Sequence, residues 1–197
     1  FLGDGECDEP ETLGALSLWI VAAEALSPRL PPFPQDNADT QRFIASRDWT
    51  KAAALAGMVR GDLWTKAAVA EFAPVIDDAF NSMREVFERA KELVPAAAAH
   101  AAKLSPHDSR NWLMLAFFAQ LPNSSSRVSV VDALKLSYYT GSGNLSLTPV
   151  RAQIALQPSA IADDEIKTFV ALEIQQFAAR APSQIATSPG VTRRPCR

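Results

Sequence analysis

The sequence predicts an all-α protein: seven or eight helices packed as antiparallel hairpins, in a helical repeat or an irregular bundle. Three observations carry this. Alanine is abundant across the 197 residues, apolar residues recur at three- and four-residue steps, and runs that alternate apolar with polar residues are scarce.

Each element follows from its residues. Pro10 and Glu11 suit a first helical turn, and Leu13, Leu16, Ile20, Ala23 and Ala25 or Leu26 continue a buried stripe, so the first helix covers 10–27. The segment Ser27 to Pro34 holds Pro28, Pro31, Pro32 and Pro34, which remove donors and force extended geometry, so it is a connector. Asn37 or Asp39 caps a second helix carrying Phe43 to Val59, broken near Asp48, and Gly61-Asp62 stops it and starts a third. That third helix, with Leu63, Trp64, Ala67, Ala68 and Phe72, is ended or kinked by Pro74. Residues 76–104 read as one long helix kinked near Leu93 by Pro95. Ser105 to Asp108 is a turn and cap before an apolar helix from Asn111 to Leu121. Pro122 to Ser126 is an exposed loop, a helix from Arg127 to Tyr139 stops at Gly141, Thr148-Pro149 opens a short helix over 149–156, and Asp163 to Arg180 is the last. Residues 1–180 thus form one helical domain, and 181–197, with three prolines and a basic end, a mobile tail.

Composition removes several functions. With 19 Lys+Arg against 22 Asp+Glu, and no dense basic window, nothing draws in a phosphate backbone, so nucleic acid is not an expected partner. No apolar run is long enough to span a bilayer; the best, Leu13 to Ala23, is short and meets Glu24. A chain this long buries a core without needing a disulfide or structural metal. The two cysteines, Cys7 and Cys196, stand near opposite ends and fit no zinc or thioredoxin spacing. They are either unrelated thiols or one disulfide tying the termini together in an oxidising compartment. Starting at Phe1 without Met, the chain reads as a processed product that has lost a leader or N-terminal anchor, or as a trimmed piece.

The pentapeptide Trp49-Thr-Lys-Ala-Ala53 recurs as Trp64-Thr-Lys-Ala-Ala68. It marks two related helix starts or a coincidence in an alanine-rich chain. A second pattern begins at Pro106, followed by Trp112, Leu115 and Ala116, with Ala98 and Ala101 ahead of it. This stretch, about 94–140, resembles a tetratricopeptide-type helical hairpin, in which a Pro closes one repeat and a Trp six residues on opens the next. It departs from that pattern at Ala116, at Ala119 and in the loop at Pro122 to Ser126. Arg60-Gly-Asp-Leu-Trp64, Leu104-Ser-Pro-His107 and Leu136-Ser-Tyr-Tyr-Thr-Gly141 are similar to segments of bacterial envelope proteins with degenerate helical repeats.

No catalytic pattern stands out. His100 and His107 occupy no metal-ligand spacing. The pairs Asp77-Asp78 and Asp163-Asp164, with Glu71 and Glu85 near the first, are explained by a solvated helix face and a helix start. Ser124, Ser125 and Ser126 lack a nucleophile elbow, and Gly141-Ser-Gly143 continues into no phosphate loop. No cofactor and no metal site are expected. Trp64, Trp112, Tyr138 and Tyr139 remain as candidate interaction residues; Trp112 also suits a helix–helix seam, and adjacent tyrosines on a helix must point apart.

The expected function is a non-catalytic protein-interaction or scaffolding module with a protein partner, placed by the resemblance and the cysteines in the periplasm or otherwise outside the bacterial cytoplasm. The rival is a helical enzyme or small-ligand receptor with a pocket between helices.

Overall fold

The computed structural model describes residues 9–77, 84–121 and 128–180. Within them every regular element is helical, and the fold is all-α. The order is α1 (Glu9–Leu26), α2 (Asn37–Ala45), α3 (Arg47–Ala56), α4 (Gly61–Ile76), α5 (Arg84–Leu104), α6 (Ser109–Ala119), α7 (Val130–Gly141), a 3-10 turn (Leu145–Leu147), α8 (Thr148–Ala155), α9 (Pro158–Ile161) and α10 (Asp164–Arg180).

The described residues hold ten helices where seven or eight were expected, for two local reasons. At Ser46 the backbone leaves helical geometry (φ −99°, ψ 3°), and this divides the expected second helix into α2 and α3. The one-turn α9 is too short to carry a hydrophobic period, so only Pro158 at its first turn announces it. The cap of α2 is Asp36, not Asn37 or Asp39: its Oδ1 accepts the Asp39 N–H at 2.8 Å. Asp163 caps α10 in the same way, its Oδ1 accepting from the N–H groups of Glu165 and Ile166.

Both prolines expected to interrupt helices lie inside them. Pro74 is buried in α4, which runs on to Ile76, and α5 is unbroken across Pro95. An interior proline costs a helix about 3 kcal/mol in isolation, but these helices are held from outside. Val69, Phe72, Ala73 and Val75 of α4 and Ala90, Val94, Ala98 and Ala102 of α5 all lie in the main core. Ile76, assigned from sequence to the long helix, closes α4 instead, and Asp77 is extended.

Helix α4 is the hub, packing against α2, α3, α5 and α6. Phe72 at its centre meets Phe117 and Phe118 of α6 edge-on, at 5.0 and 5.8 Å between ring centroids, and Phe33 of the proline-rich connector at 6.2 Å. A smaller cluster of Ala23, Ala53, Ala54, Leu63 and Ala67 joins α1, α3 and α4. Helix α7 packs on α6, and α10 lies against α8, α7 and α9.

Helices α4 and α6 begin alike. In each, a Trp in the first turn donates its indole N–H to the carbonyl six residues earlier: Trp64 to Met58 at 3.2 Å, Trp112 to Pro106 at 2.7 Å. In each, an Arg grips an Asp two residues away with two N–H groups, Arg60 on Asp62 and Arg110 on Asp108. The remaining guanidinium nitrogen ties back to earlier chain, Arg60 to Glu24 at 2.7 Å and Arg110 to the Pro32 carbonyl at 2.9 Å. The hydrogen bond from Arg60 holds the Asp62 carboxyl below its ordinary value.

Candidate functional site

Helices α3, α4 and α5 enclose a half-open hollow of about 360 Å³. Each contributes residues at helical spacing: Arg47 and Lys51 from α3; Trp64, Ala67 and Glu71 from α4; Leu93, Ala96, Ala97 and His100 from α5. Small residues make the space. Ala67, Ala96 and Ala97 stop at Cβ, so the helix seam is left unfilled between the larger walls of Trp64 and Leu93.

Polar groups stand among these apolar walls. His100 meets the Trp64 indole edge-on at 4.5 Å, and the bond to Met58 fixes that indole. Glu71 lies 3.6 Å from Arg47 Nε and 3.4 Å from Arg89 Nη2, so one carboxylate faces two guanidinium groups. Arg47 Nε is buried and makes no hydrogen bond within the described residues. Lys51 is exposed, with no hydrogen bond or ion pair within the described residues.

The recurring pentapeptide supplies this wall. Thr50 and Thr65 are both buried and donate their hydroxyls to backbone carbonyls of the preceding turn, and Ala53 and Ala68 are both buried. Trp49 and Trp64 are equivalent in sequence but not in environment. Trp49 is 59% exposed, whereas Trp64 packs beside His100.

The other residues singled out from sequence fall elsewhere. Trp112 is half-buried against the main core. Tyr138 is buried and Tyr139 is 62% exposed, and both contact Phe169 of α10, the first stacked and the second edge-on. The structure therefore does not gather Trp64, Trp112, Tyr138 and Tyr139 into one patch: Trp64 belongs to the hollow, and the tyrosines to the α7–α10 seam. His107 is exposed in the turn before α6. Asp163 and Glu165 share Lys135 at 2.8 Å each, and Asp164 pairs with Lys167. The Lys135 hydrogen bonds lower both the Asp163 and Glu165 carboxyl pKa values. Glu85 is exposed, while Asp78, the three serines at 124–126, Cys7, Cys196 and the tail at 181–197 lie outside the described residues.

The most deeply buried charge was not anticipated. Arg151 of α8 is fully buried, donates to Glu173 Oε1 at 2.9 Å and to Ser137 Oγ at 3.1 Å, and bonds the Ser137 carbonyl. Tyr138 donates to the other Glu173 oxygen at 3.1 Å and lies under the guanidinium, 4.8 Å from ring centroid to Cζ. Burial, with the adjacent Glu173 carboxylate, pushes the Tyr138 hydroxyl above its ordinary value. This closed network locks α10 to α7 and α8. The sequence did contain a signal: Ile166, Phe169, Val170 and Glu173 form one inward helical stripe, with a carboxylate in its last position.

A separate apolar surface lies on α1, which packs on α3 with Ala23 buried in the smaller cluster. Leu18, Trp19, Ile20 and Val21 remain 57–72% exposed. Among the described residues no helix is long and apolar enough to cross a membrane, and no group of three or more His, Cys, Asp or Glu could hold a metal ion. Compared with known proteins, the chain matches no family model, no curated protein and no solved structure.

Proposed function

We propose that the protein is a non-catalytic interaction module that binds a partner protein through the α3–α4–α5 face. The hollow of about 360 Å³ carries the reading: it is half-open and lined by Trp64, Leu93 and three alanines together with Arg47, Lys51, Glu71 and His100. An apolar anchor pocket with a polar rim is how protein interfaces concentrate binding energy. The matching starts of α4 and α6 support a repeat-like arrangement of two helix pairs, α4 with α5 and α6 with α7, as in tetratricopeptide-type hairpins. The envelope-protein resemblance of three short segments extends the proposal to a place outside the bacterial cytoplasm, which alkylation mass spectrometry of Cys7 and Cys196 from native material tests. Two free thiols would remove that extension.

The rival reading, a small-ligand receptor, draws on the same hollow, whose volume lies within the range of ligand pockets and whose lining includes four ionisable side chains. Photo-cross-linking separates the two. With a benzophenone amino acid at Lys51, the interaction reading expects a discrete protein adduct in cells of the native source. The adduct's partner, once purified, must bind the wild-type chain. Absence of any such adduct, with a small molecule retained by the purified protein, would favour the receptor.

A further inference from the structure

Resting on that interaction reading, we infer that the α3–α4–α5 hollow takes one bulky apolar side chain from a partner segment that is acidic on either side of it. The geometry sets the first half of the requirement. Trp64 and Leu93 line the hollow together with Ala67, Ala96 and Ala97, an apolar space that admits one bulky inserted side chain. The indole is held by its bond to the Met58 carbonyl and by the His100 ring, so the pocket is present before anything binds.

The charges set the second half. Among the side chains that line or bridge the hollow, Arg47, Lys51 and Arg89 are cationic and Glu71 alone is anionic. Glu71 is already shared by two guanidinium groups, and Lys51 has no partner within the described residues. Among the described residues the buried Arg47 Nε–H has no acceptor in hydrogen-bond range, and the Glu71 carboxylate oxygen is 3.6 Å away. A carboxylate arriving beside the apolar anchor would supply an acceptor to Arg47 and a counter-ion to Lys51. A basic segment would meet an excess of positive charge there. Lys51 is exposed, so a carboxylate beside it stays partly hydrated and its desolvation is small.

Panning a random dodecapeptide library on the full-length protein tests this. The expected result is a consensus of one large apolar residue with Asp or Glu within two positions of it. Binding of a consensus peptide should fall roughly tenfold or more in Ala97→Trp, which takes up much of the hollow, and in Lys51→Glu, which reverses an exposed charge without touching the core. It should also weaken as salt rises. Circular dichroism of both variants verifies the fold; Lys51→Glu keeps the test decisive should Ala97→Trp fail to fold. A neutral or basic consensus, or acidic peptides that bind both variants as well as wild type, would overturn the anchor assignment while leaving an interaction module intact. A library with no consensus, together with no protein adduct at Lys51, would overturn both.

Discussion

Replacing Glu173 by Leu tests the buried network that fastens α10. In the wild type, Arg151 is fully buried and Glu173 is 4% exposed, so neither charge has water to fall back on. Glu173→Leu leaves the guanidinium with Ser137 alone and removes the acceptor of the Tyr138 hydroxyl. Stripping one partner from a buried pair costs about 3–5 kcal/mol, and the orphaned tyrosine hydroxyl adds about 1 kcal/mol. At about 2–4 °C per kcal/mol for a chain of this size, the melting temperature should fall by roughly 8 °C or more. The double variant Arg151→Met/Glu173→Leu removes both charges and should recover much of the loss, since an apolar pair of similar volume is often neutral in place of an ion pair. Urea unfolding followed by circular dichroism at 222 nm measures all three proteins, with an unchanged denaturant slope as the check that stability alone has moved. A single variant within about 1 kcal/mol of wild type, or a double variant weaker than the single, would refute the reading.

Three further outcomes follow from named contacts. A Cβ on Gly61 would stand 2.3 Å from Ser105 Oγ and 2.9 Å from its backbone N, whereas one on Gly143 meets nothing within 4 Å; Gly61→Ala should cost about 1–3 kcal/mol and Gly143→Ala less than about 0.5 kcal/mol in the same urea assay. Asn111 is fully buried, and neither end of its amide has a hydrogen-bond partner among the described residues, so Asn111→Leu should stabilise the protein by about 1–3 kcal/mol, and a loss of stability would show the amide to be satisfied. Both tyrosines are raised above the ordinary value of 10.0, Tyr138 chiefly by burial and Tyr139 chiefly by its hydrogen bond to Glu165; the folded protein should therefore show little tyrosinate absorbance at pH 10 while the urea-unfolded chain is about half ionised. Because both folded values are raised, this contribution to stability is complete below pH 10 and is lost as pH rises toward them.

The fold class was legible because it depends on local period. Leu63, Ala67, Ala70 and Ala73 mark α4, and Ile166, Phe169 and Val170 mark α10, wherever their partners lie. α4 ends two residues after Pro74, and α5 runs through Pro95. Pro74 and Pro95 carry a penalty visible in sequence, while the packing that offsets it, Phe72 against Phe117 and Val94 within the main core, joins helices distant along the chain. Trp64 was identifiable by its type, but its setting beside His100 required the crossing of α4 and α5. The hollow itself was hidden because alanines make it: Ala67, Ala96 and Ala97 read as ordinary helix formers, and only the juxtaposition of three helices turns their small size into space. Arg151 escaped notice for a related reason. It sits beside Val150 and Ile154 in a short helix, and its carboxylate partner is supplied by α10.

The most direct measurement is hydrogen–deuterium exchange of the full chain with and without the partner protein captured at Lys51. A partner docked on the α3–α4–α5 face should slow exchange in the segments 47–51, 64–71 and 93–100 and leave α10 unchanged. Protection confined to other helices, or no protection at saturating partner, would contradict the assignment of this face as the binding surface.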